Sequence, residues 1–216
     1  MNWLNKIKTG VGRYMLNQKF KSIRRSPLVC NIADAKRIGI LYNATELTSF
    51  EIIRDFVKKI SSYNASVTTL GYVHSKNLID HYLYRKGFDF FYKGNLNWYS
   101  MPKSEITDKF LHEPFDILIN LSLEDYYPIQ YITALSPATF KAGRFTSEDQ
   151  YLDLMIDIEK ETKIMKKLQA DVKADTRNGV DKRILDLEME KRSETELQLN
   201  FLINQLLHYL SIIKIN

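Results

Sequence analysis

Lys6, Lys8, Arg13, Lys19, Lys21, Arg24 and Arg25 all fall within the first 26 residues, and no Asp or Glu accompanies them. Cations at that density suit phosphates, whose counterions they displace. About four such contacts lower affinity on the order of 100-fold between 50 and 200 mM salt. Anionic lipid headgroups are the other match, at roughly 1 kcal/mol per nearby Lys or Arg. The rest of the chain adds little. Residues 27–158 carry 13 positive and 16 negative charges and residues 159–216 carry 11 and 10, so the net charge of +5 originates in the leading arm.

Two further cations, Lys141 and Arg144 in "FKAGRF", follow a strand-like run and flank Gly143, which makes them candidates to meet an anion at a turn. The run "FDFFYKGNLNWY" offers rings that could stack on bases or sugars, but its strand-like spacing favours a core with a few exposed rings. Glu124 and Asp125 follow "ILINLSL", where an open parallel sheet keeps its ligands, or else they open the next helix, whose dipole favours acids.

Other chemistry is missing from the pattern. His74, His81, His112 and His208 are scattered, whereas zinc needs three or four convergent ligands, so no metal is expected. The first strand-to-helix turn, "YNATELTS", has no glycine to let a backbone approach a pyrophosphate, and "TGVGR" lies ahead of the first strand without a phosphate-loop lysine pattern. No nucleotide or other cofactor is therefore expected, and no catalytic residue is assigned.

The elements that must hold these groups alternate between short apolar runs and helical periods, the signature of a parallel α/β sheet. "RIGILY" (37–42), "SVTTLGYV" (66–73), "FDFFYK" (88–93) continued by "WYSM" (98–101), "FDILINLSL" (115–123) and "ATFKAGRF" (138–145) read as strands. "YLDLMIDI" (151–158) fits strand or helix. "TSFEIIRDFVKKISS" predicts a helix opened by Thr48 and Glu51 in capping-box spacing. Further helices are expected over 76–85, stopped by Gly87, in "KSEITDKFL" and in "YPIQYITALS". Trp3 to Phe20 keeps Leu4, Ile7, Val11, Tyr14 and Met15 at helical spacing, which makes the arm a basic amphipathic helix whose stripe either packs on the chain's own domain, leaving the lysines to solvent, or serves binding to a nucleic acid or a membrane.

The organisation is thus a basic arm over 1–26, an α/β domain over 27–158, a charged helical insertion over 159–198 with Asn178-Gly179 as its turn, and a C-terminal helix over 199–216. In that last helix Leu199, Leu202, Ile203, Leu206, Leu207 and Leu210 share one face. A lone Cys30 forms no internal disulfide and suits a reducing cytoplasm, as a small apolar filler. Lys6, Lys8 and Arg13 interrupt any signal-peptide core, and no run approaches the roughly 18 apolar residues of a membrane span.

With "RIGILYNATE", "PFDILINLS", "ALSPATFKAGRF" and the late "HYL" in view, the chain resembles an uncharacterised Bacteroidota family of small cytoplasmic proteins, a domain of unknown function. The resemblance covers nearly everything except about 163–197. It implies a Rossmann-like, mostly parallel sheet with flanking helices and transfers no catalytic residue. More distantly, "FDILINLS…ALSPATFKAGRF" is similar to the acceptor half of heptosyltransferase-type glycosyltransferases, whose second, sugar-nucleotide-binding domain has no counterpart here.

Charge segregation without a catalytic constellation leads to one expectation: a non-enzymatic binding protein whose arm engages an anionic partner, RNA or a ribosomal particle. A peripheral adaptor on an anionic membrane surface and a glycosyltransferase-like enzyme or relic are the alternatives. The insertion at 159–198 is a candidate site for a protein partner.

Overall fold

The computed structural model describes residues 3–45, 47–78, 86–147, 150–160, 162–164 and 183–213. Its apolar runs form β1 (Arg37–Asn43), β2 (Ser66–Val73), β3 (Asp89–Tyr92), β4 (Ile117–Asn120), β5 (Phe140–Arg144) and β6 (Leu154–Ile156). They make one six-stranded sheet in the order β3-β2-β1-β4-β5-β6, with every pairing parallel. This is the doubly wound, Rossmann-like arrangement, in which the chain reverses direction across the sheet between β1 and β4.

Parallel sheets are covered on both faces, so their central strands are apolar throughout, and all four residues of β4 are buried. Among the described residues the cover comes from helices α1 (Trp3–Ser22), α2 (Leu47–Ser61), α3 (Glu105–His112), α4 (Tyr127–Leu135) and α5 (Arg183–Ile212). Ile38 and Ile40 of β1 and Ile117 and Ile119 of β4 point to one side, against Ile53 of α2 and Leu202 and Leu206 of α5. One residue along, Leu41 and Leu118 point to the other, against Leu16 of α1, Phe110 of α3 and Ile132 of α4.

Several local expectations need correction. The Asn43 side chain accepts from the Thr45 amide, turning the chain so early that α2 starts at Leu47, with Thr48 inside it. Glu51, likewise inside α2, pairs with Arg54. "WYSM" is not a strand, because the Asn97 side chain accepts from the amides of Tyr99 and Met101 and curls the segment into a turn. Of "YLDLMIDI", residues 154–156 are an edge strand. The helix expected over 76–85 falls outside the described residues from 79 onward, and Gly87 does take the left-handed conformation, at φ +83°. Positions 165–182, including Asn178-Gly179, also lie outside them. The boundary drawn at 198 is crossed by α5 as one continuous helix, and all six apolar positions of its docking face are buried.

How α1 seats depends on one glycine. A Cβ on Gly12 would stand 2.8 Å from the Tyr99 carbonyl oxygen and 3.0 Å from the Tyr127 ring, whereas one on Gly10 would meet nothing within 4 Å. Alanine favours a helix by about 1 kcal/mol over glycine. Gly10→Ala is therefore expected to stabilise by up to about 1 kcal/mol, and Gly12→Ala to destabilise by about 1–3 kcal/mol because backbone must move. Urea unfolding of the two variants checks the opposite signs.

Candidate functional site

The arm is anchored to the domain it precedes. Leu16 is buried in the core, the Tyr127 hydroxyl donates to the Gly12 carbonyl, and Lys19 Nζ donates to Tyr131 Oη at 2.8 Å. Arg25 forms a two-pronged pair with Asp153, both distances 2.6 Å, and its Nη1 also donates to the carbonyls of Ala138 and Thr139. Lys19, which is exposed, and Arg25, which is half-buried, thus each have a partner within the domain. Lys8, Arg13, Lys21 and Arg24 are exposed, while the side chain of Lys6 lies outside the described residues.

Two large rings stand in solvent on or beside α1. Tyr14, on α1 itself, is 62 % exposed and Trp98 is 61 % exposed. Trp98 packs edge-on against Tyr99, whose carbonyl abuts Gly12, so it lies beside α1. Sequence reading singled out the aromatic run but had no means of bringing it to the arm.

Lys141 and Arg144 do not form one anion site. Both lie within β5, and alternation plus register send them to different partners. Lys141 is 1 % exposed, and its Nζ donates to the carbonyls of Thr133 (2.7 Å) and Ala134 (3.1 Å) at the end of α4, where the helix dipole favours a cation. Arg144 donates through Nη2 to Asp125 Oδ1 at 2.6 Å. Its Nε and the Thr146 hydroxyl are buried without a hydrogen-bond partner among the described residues, beside Asn120 and Gln130 in a recess of about 10 Å³.

The carboxyl ends of β1, β2 and β4 hold a cluster that sequence reading missed. Tyr72 Oη lies 3.2 Å from His74 Nδ1, the His74 amide donates to Thr45 Oγ1, and the His74 and Tyr126 rings stand 4.8 Å apart at 30°. Burial pushes the Tyr72 phenol up to about 12. Burial, then hydrogen bonding to Glu124, pushes the Tyr126 phenol above its ordinary range. Burial, aided by Lys93 and opposed by Glu124, pulls His74 below its usual value. At neutral pH the cluster is accordingly a set of uncharged donors and acceptors. The adjoining pair Glu124-Asp125 was the only hint of it in the sequence.

Burial first, then Asp116 and Asp34, raises the Cys30 thiol, so it stays protonated. Among the described residues, no three His, Cys, Asp or Glu side chains are grouped to hold a metal ion, and no helix is long and apolar enough to cross a membrane.

Residues 8–169 match the model of a family of unknown function, DUF6913. The chain belongs to that family. The match takes in α1 from Lys8 onward and the whole sheet, and it ends before α5. No curated protein matches the chain.

Proposed function

We propose that this DUF6913 protein is a non-enzymatic binding protein that engages RNA, free or within a ribosomal particle, through the outer surface of α1. The observation that carries the reading is the company of exposed Lys8, Arg13, Lys21 and Arg24 with exposed Tyr14 and Trp98. Cations track a phosphate backbone and rings stack on unpaired bases, each stacked base adding about 1–3 kcal/mol. The segregation of the chain's whole excess charge onto the arm gives the direction of approach.

Four phosphate contacts to a single strand give a salt slope near −3, or roughly 50-fold in affinity between 50 and 200 mM. The test leaves Lys19 and Arg25 in place, since both hold the fold. Changing Lys8, Arg13, Lys21 and Arg24 together to Glu is expected to abolish salt-sensitive binding of an unstructured RNA in fluorescence anisotropy, with the thermal midpoint retained. Trp98→Ala is expected to weaken binding about ten-fold with no change of salt slope. Undiminished RNA binding by the reversed variant rejects the role given to α1. Arm-dependent co-sedimentation with anionic liposomes, and not with RNA or ribosomes, transfers the site to a membrane surface.

A further inference from the structure

A cavity of about 200 Å³ opens where the sheet reverses direction, between the carboxyl ends of β1 and β4. Open α/β sheets keep their ligands at that point. The volume exceeds the ~150 Å³ of a cavity that takes benzene, so there is room for a molecule of somewhat more than six carbons.

Its walls discriminate between ligand classes. Ile53 of α2, Leu121 after β4 and Leu199 of α5 give an aliphatic floor. Asn43 and Ser49 contribute neutral polar groups from the β1-to-α2 side. Among the described residues the charges on the lining are two carboxylates: Glu124, from the loop after β4, and Glu194 of α5, which accepts from the Gln198 side chain. Among the described residues, no Lys, Arg or His belongs to the lining.

A phosphate, the usual occupant at the start of the first crossover helix, would face both carboxylates across a turn that has no glycine to cradle it. Like charges in a partly enclosed space repel strongly, and the same field favours an ammonium. Burying an organic cation is otherwise prohibitive unless carboxylates receive it.

We propose that this cavity binds a small aliphatic amine, its ammonium held by Glu124 and Glu194 and its hydrocarbon body on Ile53, Leu121 and Leu199. The site is distinct from the α1 surface and does not depend on RNA binding. The Glu194 wall also lies beyond the part of the chain that the family model matches, so amine binding belongs to this chain's α5 as much as to the sheet.

Isothermal titration with three probes of equal length tests the assignment: 1,5-diaminopentane, 1,5-pentanediol and glutarate. The diamine is expected to bind saturably at or below about 1 mM, the diol at least about ten-fold more weakly, and glutarate not at all. Glu124→Gln and Glu194→Gln should each weaken the diamine about ten-fold or more, with the thermal midpoint checked beside them. Reversal of the four arm cations should leave the titration unchanged. Equal binding of diol and diamine, no diamine binding up to about 10 mM, or Gln variants that bind as the native chain does would each overturn the assignment. The comparison of the three probes on the native protein stands even where a variant folds poorly.

Discussion

Lys141→Ala is expected to lower the free energy of unfolding by about 4 kcal/mol, with a thermal midpoint roughly 8–16 °C lower for a chain of this size. The residue is buried more deeply than the core leucines Leu16 and Leu121, and two effects add. Removing the stem beyond Cβ opens a cavity beneath α4, a loss of about 2–5 kcal/mol in comparable truncations. Removing its ammonium takes a charged donor from the carbonyls of Thr133 and Ala134, at about 1–3 kcal/mol. Lys141→Met separates the two, because it keeps most of the stem and loses only the donor; about half the effect is expected. Urea titration of both variants measures this, and a loss under about 1 kcal/mol for Lys141→Ala contradicts the structural role.

Asp153→Ala is expected to destabilise by about 3 kcal/mol. Its carboxylate and the Arg25 guanidinium are only 14 and 16 % exposed, so neither meets the full screening that reduces surface pairs to a few tenths of a kcal/mol. The same Oδ2 that receives Arg25 also receives the Lys141 amide at 2.8 Å, while the Asp153 amide donates back to the Lys141 carbonyl. One side chain therefore ties the exit of the arm to the approach of the edge strand β6. Truncating it leaves a half-buried guanidinium and an orphaned backbone donor. A double-mutant cycle with Arg25→Ala isolates the pair, and a coupling of about 2 kcal/mol is expected. Additivity of the two single changes would show that the pair contributes nothing of its own.

The strands were legible wherever composition bounded them. β2 runs over Ser66–Val73 as its β-branched run suggested, because turn formers enclose it. β4 is shorter than its apolar run, since Phe115 and Leu121 are buried beside the sheet without belonging to the strand. Apolar character records burial, and burial extends past the hydrogen-bonded ladder. The charged groups were harder for a different reason. Lys19 and Arg25 looked like their neighbours on the arm because their partners lie 112 to 128 residues away. Lys141 carried the signal of a surface cation, yet strand register turns it beneath a helix end that local spacing cannot reveal. The cavity at the sheet's reversal draws its walls from α2, the loop after β4 and α5, and no contiguous motif encodes such a meeting.

The 128 residues between Arg25 and Asp153 also have a temporal meaning. Chains emerge from synthesis at roughly 5–20 residues per second, so the arm waits roughly 6–26 s for the segment that will neutralise Arg25. Tyr131, the partner of Lys19, arrives only slightly sooner. Through that interval the nascent chain displays Arg25 without its carboxylate and Lys19 without its phenol, together with the apolar stripe that later covers the sheet. The arm is at its most basic and most adhesive before the protein is finished.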